Sequence, residues 1–565
     1  MSSPTRTTDN ALDLPARPSQ SDKTASLSRT TTTTVPQLDS ETPKASAPKG
    51  ARFWLVFAAL CCSSFLSALD LTAVSTTLPQ IAADFNSADY AWVGSAYALT
   101  STALIPWTGG LAAIFGRRPV MIAALVLFAL GSALTGAAQS MAMLIGGRSV
   151  QGVGGGAILT MSEIIVTDLV PLAERGLYFG ILGAVWAVAS AIGPPIGGAL
   201  ASNDAWRWLF YLNLPLTGIA LLLVLLFLKV KEPQTTMKEK LEQMDYVNLL
   251  FVAASTATIL ALTWGGVTYA WTSYRVLVPL VLGLLGMLAF LWIERSFVNH
   301  PTVPFDILSH RTSLLGFVAT FLHAIIVMAI VYFLPQYFMA VRGSTPIQAG
   351  VQLFPISFVI APFAMVVGVS ITLTGHYWTQ NTIGWVFSIV GAGLLSLLKW
   401  DSGTAMWAGF SVVIAIGLGL LYDATYFPVL APLAPSKQPH AMAFFSFVRA
   451  FGQVLGITIG TTVLQNELTK TLPAAFVAQL GGQGGEIAFA AIPFIKDLDE
   501  PLRTLVRAAF ADSLQVIWQV CIGVAGLGLL VTLPIKQMKL TTETDEENWG
   551  LKEKEGEGDA SAASV

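Results

Sequence analysis

Charge is scarce in this chain. Asp, Glu, Lys and Arg make up only 12% of its 565 residues, while hydrophobic residues reach 54% and mean hydropathy is +0.65. So small a polar complement excludes an ordinary soluble domain, in which about a quarter of the residues are charged. The charges nearly cancel, at −3. Nucleic acid would need a basic footprint and a membrane surface a polybasic patch, so neither is an expected electrostatic partner. Cysteine is rarer still: Cys61, Cys62 and Cys521 all fall in apolar stretches, which offers no metal spacing, disulfide framework or redox pair. A Gly-x-x-x-x-Gly-Lys-Ser/Thr phosphate loop is missing, so nucleotide-driven work is not expected, nor is any cofactor or enzyme chemistry. No Asn-x-Ser/Thr acceptor occurs either, and N-glycosylation therefore offers no check on topology.

What the chain has is long apolar runs. A hydrocarbon core roughly 30 Å thick takes about 20 helical residues to cross, and apart from closed barrels only helices satisfy their own backbone there. Runs of this length predict spans at 53–75, 92–113, 119–138, 141–165, 177–200, 208–229, 247–266, 275–293, 312–334, 347–373, 380–398, 404–428, 440–464 and 513–535. The reading is an all-α membrane protein of about fourteen spans, with thirteen or twelve as alternatives, whose partner is the lipid bilayer.

Residues 1–50 are rich in Ser, Thr and Pro, carry Thr30 to Thr34 in a run and lack an apolar signal core, which predicts a disordered tail without a cleavable leader. An even span count puts both ends on one side. Short loops on that side hold Arg117, Arg118, Arg175, Lys229, Lys231, Lys238, Lys240, Arg295, Arg311 and Lys437, against Arg207, Arg275, Arg342 and Lys399 opposite. The positive-inside rule then places both termini in the cytoplasm. Residues 465–512 become one long external loop, and 536–565, rich in Glu and Lys, a solvated tail.

An internal repeat suggests the grouping six, two, six: a half at 51–230, a loop with two extra helices at 231–300, and a second half at 301–535. Gly109 and Gly116 stand seven apart at the second loop of the first block, and Gly368 and Gly375 do so at the second loop of the last. Duplicated halves are what rocking transporters are built from, with the substrate between them near the midplane.

Ionisable residues inside spans each cost roughly 2.5–3.5 kcal/mol at a helix centre and need a partner or water. They are few: Asp70, Arg148, Glu163, His323, Asp423 and Arg449. At 1.5 Å per residue, Asp70 and Arg148 each lie about 26 Å from the inner end of their spans. This common depth suits either a proton-coupling pair or a fixed ion pair locking two helices. Asp423 and Arg449 make a second expected pair in the cytoplasmic half, an inner gate or a helix clamp. His323 suits proton handling by its ordinary titration range but more simply bonds a neighbouring helix, while Glu163 and Asp168 read as interfacial. Span 5 contains Gly193-Pro194-Pro195-Ile196-Gly197-Gly198, and span 13 has Gly452, Gly456 and Gly460 four apart, patterns that allow close contact or bending.

These residues resemble the major facilitator superfamily, in particular its fourteen-span drug:proton antiporters of fungal type. Leu69-Asp70-Leu71-Thr72 running to Leu78-Pro79 is similar to that family's span 1 signature, and Arg148-Ser149-Val150-Gln151-Gly152 to its span 4 signature. Ile192-Gly193-Pro194 to Gly197-Gly198 resembles the antiporter motif, and Trp206-Arg207-Trp208 with Asn213-Leu214-Pro215 the start of span 6. In the second half only Phe447-Val448-Arg449 and the glycines after it match strongly. The resemblance implies a major facilitator fold, with proton coupling at Asp70 and Arg148. Gating would fall to Gly109, Gly116, Arg117, Arg118, Gly193, Pro194, Gly197, Asp423 and Arg449. It also implies efflux of small amphipathic drugs, toxins or secondary metabolites driven by protons, by a monomer in a fungal plasma membrane, with the vacuolar membrane as the alternative. Other readings are a proton-coupled carrier of one solute such as a siderophore, amine or organic acid, a non-transporting sensor, and a channel. The family's inner loop normally carries an Asp where this chain has Ala113, so gating here is expected to be looser or to use another acid such as Asp168.

Overall fold

The computed structural model describes residues 49–74, 77–85, 91–231, 235–266, 269–298, 301, 303, 305–479, 492–545 and 549–550. The expected N-terminal tail thus lies almost wholly outside the described residues, as do 551–565. Among those described, β structure is limited to isolated bridge residues, Gly265 with Tyr269, and Val230.

Fourteen long helices account for the expected spans: α1 Ala51–Ala73, α2 Ala91–Phe115, α3 Arg117–Gly136, α4 Met141–Leu169, α5 Arg175–Ser202, α6 Arg207–Phe227, α7 Asn248–Trp264, α8 Tyr274–Phe297, α9 Arg311–Gln336, α10 Phe354–Thr374, α11 Trp378–Leu395, α12 Thr404–Ala424, α13 Gln438–Thr471 and α14 Leu502–Thr532. Twelve candidate spans are long and apolar enough to cross a membrane. The other two are α7, of 17 residues, and α11, of 18, which begins on the polar run Thr379-Gln380-Asn381-Thr382. The expected external loop at 465–512 needs correcting, because α13 continues to Thr471, a short helix follows at Ala474–Gln479, and α14 begins at Leu502. Polar ends such as Glu467 with Lys470, and Glu500 with Arg503, form ion pairs three residues apart. An apolar-run criterion stops short of such turns although the backbone does not.

Helices α1 to α6 pack among themselves, with α4 against α2, α3 and α1, and α9 to α14 pack likewise, with α9 against α13 and α14. Helices α7 and α8 form a pair, and α7 touches both α2 and α13, so it sits beside the seam between the two groups. Two helix pairs cross that seam prominently, α2 with α13 and α5 with α10.

The four repeat glycines explain this arrangement. Gly116, between α2 and α3, has φ 96°, and Gly375, between α10 and α11, has φ 68°. Both lie in the positive-φ region where a Cβ is disfavoured. Their partners seven residues earlier face the opposite group of helices. A Cβ on Gly109 would stand 2.5 Å from the Cβ of Ala443 on α13, and one on Gly176 at the start of α5 would stand 2.6 Å from the Cα of Gly368 on α10. A further cross-seam pair, Gly180 and Met365, would be at 2.8 Å. The groups of helices therefore press together near the face that carries Arg117, Arg175 and Lys437, here termed the basic face.

The solvated tail expected from 536 is also corrected over its described part. Leu540 is buried, and the chain beyond α14 runs against the basic face, where Ala173 N donates to Thr541 O at 3.2 Å and Lys231 N to Gly550 O at 2.9 Å.

Candidate functional site

Buried charge gathers at three levels along α4, which supplies Arg148, Glu163 and Asp168. The first level is near the face opposite the basic one. Arg148 Nη1 donates to Asp70 Oδ2 at 2.6 Å and to Gln151 Oε1 at 2.7 Å, and Arg148 Nε donates to Val93 O at 3.0 Å. Asp70 Oδ1 accepts from Gln151 Nε2 at 2.9 Å and from Asn213 Nδ2 at 2.7 Å. Ser132 bonds Gln151 at 2.8 Å, and the Arg148 guanidinium lies over Tyr97 with its carbon 4.5 Å from the ring centroid. Both charged side chains are fully buried. The expected pair thus forms, and every oxygen of Asp70 is engaged. A carboxylate and guanidinium out of water need such additional donors and acceptors to persist. Sequence reasoning missed Gln151 and Asn213 as members, although both lie inside quoted motifs and Gln151 sits one turn from Arg148.

Fifteen residues along α4, about 22 Å at helical rise, Glu163 reaches across the seam. It accepts a hydrogen bond from Ser446 Oγ and pairs with Arg449 Nη1 at 3.6 Å, both on α13. Glu163 is therefore an inter-group contact and not merely interfacial as expected. The anticipated Asp423–Arg449 pair is met only in part, because the two are neighbours while the direct ion pair of Arg449 is with Glu163. Arg449 Nη2 donates to Tyr422 O at 2.9 Å, and the guanidinium rests on Tyr422 and Phe445, at 4.5 and 4.6 Å. Asp423 is buried beside it with Oδ2 making no hydrogen bond. Two acids and one base make up this level, and His323 borders it, with Nε2 bonded to Leu418 O at 3.0 Å and its ring edge-on to Tyr422.

At the basic face, Arg117 Nε donates to Asp168 Oδ2 at 2.8 Å and its Nη2 to Oδ1 at 3.3 Å, while Nη1 donates to Ala112 O at 3.0 Å. Asp168 is the acid that engages this loop in place of one at Ala113. The Trp549 ring of the C-terminal segment lies against Arg117, 3.2 Å from guanidinium carbon to ring centroid. Arg118 Nη2 caps the end of α6 at Leu225 O, 2.7 Å away. Arg175 donates to Thr167 O at 2.8 Å and to Gln438 Oε1 at 3.0 Å, a second polar bond across the seam.

Glycine sites complete the geometry. Gly193 abuts Thr72 Oγ1 of α1 with no room for a Cβ, Gly197 is buried, and α5 runs unbroken through Pro194, so the double proline lies in a helix packed on α1. Gly452 and Gly456 press on the backbone of Phe321 and Ile325 in α9. The described residues contain no group of three or more His, Cys, Asp or Glu able to hold a metal.

Comparison with known proteins gives one consistent result. The Major Facilitator Superfamily model matches residues 60–457. The chain is 39% identical over 545 residues to "Efflux pump FUS6" of Gibberella moniliformis, across 94% of this chain and 97% of that one. It is 41% identical to "MFS-type efflux pump LUC4" of a Fusarium species, across 91% and 93%. Among solved structures it is similar to the human organic anion transporter MFSD10, with a TM-score of 0.54 at 15% identity over 84% of this chain and 100% of the other, a likeness of fold alone.

Proposed function

Because this chain belongs to the major facilitator superfamily, we propose that it exports small amphipathic molecules, such as drugs, toxins or secondary metabolites, in exchange for protons. It works as a monomer in the plasma membrane with both termini in the cytoplasm. Relatives named as efflux pumps, similar along nine tenths of the chain, support export. The bodies at 51–230 and 301–535 rock against each other about the substrate, and 231–300 carries α7 and α8 beside their seam.

The observation that carries coupling is the buried Asp70–Arg148 pair with its fixed donors. A proton on Asp70 removes the counter-charge of Arg148 and one acceptor for Gln151 and Asn213, so protonation and the packing of α1, α4 and α6 are linked. The Glu163, Asp423 and Arg449 level supports the same reading, because two acids share one base inside the bundle, and one proton restores neutrality there. Protonating Glu163 weakens its tie to α13 and frees the basic side to open.

The test is Asp70→Asn expressed in an efflux-deficient yeast, with accumulation of lipophilic dyes and fungicides read with and without a protonophore. The parent lowers accumulation and the protonophore abolishes that effect. The variant reaches the surface yet loses the protonophore-sensitive part. Proton-driven efflux at the parent level in the variant removes Asp70 from coupling.

A further inference from the structure

The segment after α14 is secured to both groups of helices. On the α9–α14 side, Tyr377 Oη donates to Lys536 O at 2.6 Å and accepts from Met538 N at 2.9 Å, and Gln537 Nε2 donates to Gly375 O at 2.6 Å. Gln537 Oε1 also accepts from Tyr377 N and Trp378 N, each at 3.1 Å. Burial pushes the Tyr377 phenol up to about 12, so it remains a hydroxyl donor throughout the physiological range. On the α1–α6 side the attachment includes the backbone bonds of Ala173 to Thr541 and of Lys231 to Gly550, and the Trp549 indole on Arg117. Between these anchor points lie Gly176 and Gly368, the tightest approach of the two groups at this face. Any motion that parts them must stretch the segment or break one of its ends.

We propose that residues 536–545 with Trp549 and Gly550 form a strap that keeps the basic face shut, with Trp549 as a positioning residue that holds the Arg117 guanidinium on Asp168. When the two groups part, the strap stays fixed at Gly375 and Tyr377 through the bonds of Gln537 and the Tyr377 hydroxyl and detaches from Arg117. A guanidinium is attracted to an aromatic face, and Arg117 meets Trp549 while it bonds Asp168. This inference rests on the reading that the two groups rock.

The experiment needs no transport substrate, so its failure is separate from failure of the export reading. In a chain carrying Cys61→Ala, Cys62→Ala and Cys521→Ala, Met365→Cys at the seam reports opening by its maleimide labelling rate in open membrane fragments. Labelling is expected to rise roughly two- to tenfold in Trp549→Ala, the shift one cation–π contact supports, and at least as much in a chain ending at Lys539. Trp549→Tyr keeps the parent rate. Equal rates in parent, Trp549→Ala and truncated chains overturn the strap, and a Trp549→Tyr rate matching Trp549→Ala overturns the role of the ring. A second measurement guards against misfolding: Ala173→Cys with Thr541→Cys in the same background is joined within one chain by a short bis-maleimide, and absence of that product overturns the placement.

Discussion

Single side chains decide how charge survives inside this bundle. Asp70 has three donors on two oxygens, while Arg117 has one carboxylate, one carbonyl and one aromatic face. Removing one partner of a buried pair leaves the other uncompensated, at a cost of about 3–5 kcal/mol. Asp168→Ala is therefore expected to lower the melting temperature of the purified protein by several degrees, and Asp168→Ala with Arg117→Met to recover most of the loss; no recovery in the double variant would mean that the pair is not what stabilises this end. The acids of α4 also show what one residue reveals by itself. Asp70 and Arg148 were legible as a pair because they stand at one depth in their apolar runs. Glu163 was not, since its partner lies 286 positions away on another group of helices. Arg449 was assigned to Asp423 by their common depth in the cytoplasmic half, but its direct ion pair is with Glu163 of α4, and Asp423 is only its neighbour.

At the scale of elements, glycine sets both the turns and the seam. Gly375 sits in the left-handed helical region with φ 68° and ψ 3°, which Asn tolerates, whereas Gly116 at φ 96° and ψ 161° occupies a region nearly reserved for glycine. Gly375→Asn is expected to leave stability almost unchanged, while Gly116→Asn loses about 1–3 kcal/mol. Thermal unfolding of the two variants compares them directly, and equal losses would reject this account of the turns. Spacing of seven residues was visible beforehand, and the reason for it was not. Only the fold shows that one glycine of each pair makes the turn and the other permits backbone contact across the seam.

For the molecule as a whole, contacts between the two groups of helices concentrate toward the basic face: Gly176 with Gly368, Gly109 with Ala443, Glu163 with Arg449, and Arg175 with Gln438. In the rocking proposed above, this is the side that is shut. In the topology proposed above, that side is the cytoplasmic one. Epitope tags at the two ends of the chain are accordingly expected to be cleaved by added protease only after intact cells are permeabilised. Cleavage of either tag on intact cells would reverse the assignment.

Composition and run length alone determined that the chain is helical and crosses a membrane many times, because a hydrocarbon solvent accepts few backbone solutions and marks each with an apolar run. Local motifs determined the likeness to a transporter family and the turn positions, since these depend on residues close in sequence. Tertiary structure decided which acid meets which base, that the helix ends extend beyond the apolar runs, and that a tail rich in Glu and Lys folds back onto Arg117. These outcomes depend on the rotation of each helix and on pairing between distant residues, and a linear pattern of hydropathy contains neither.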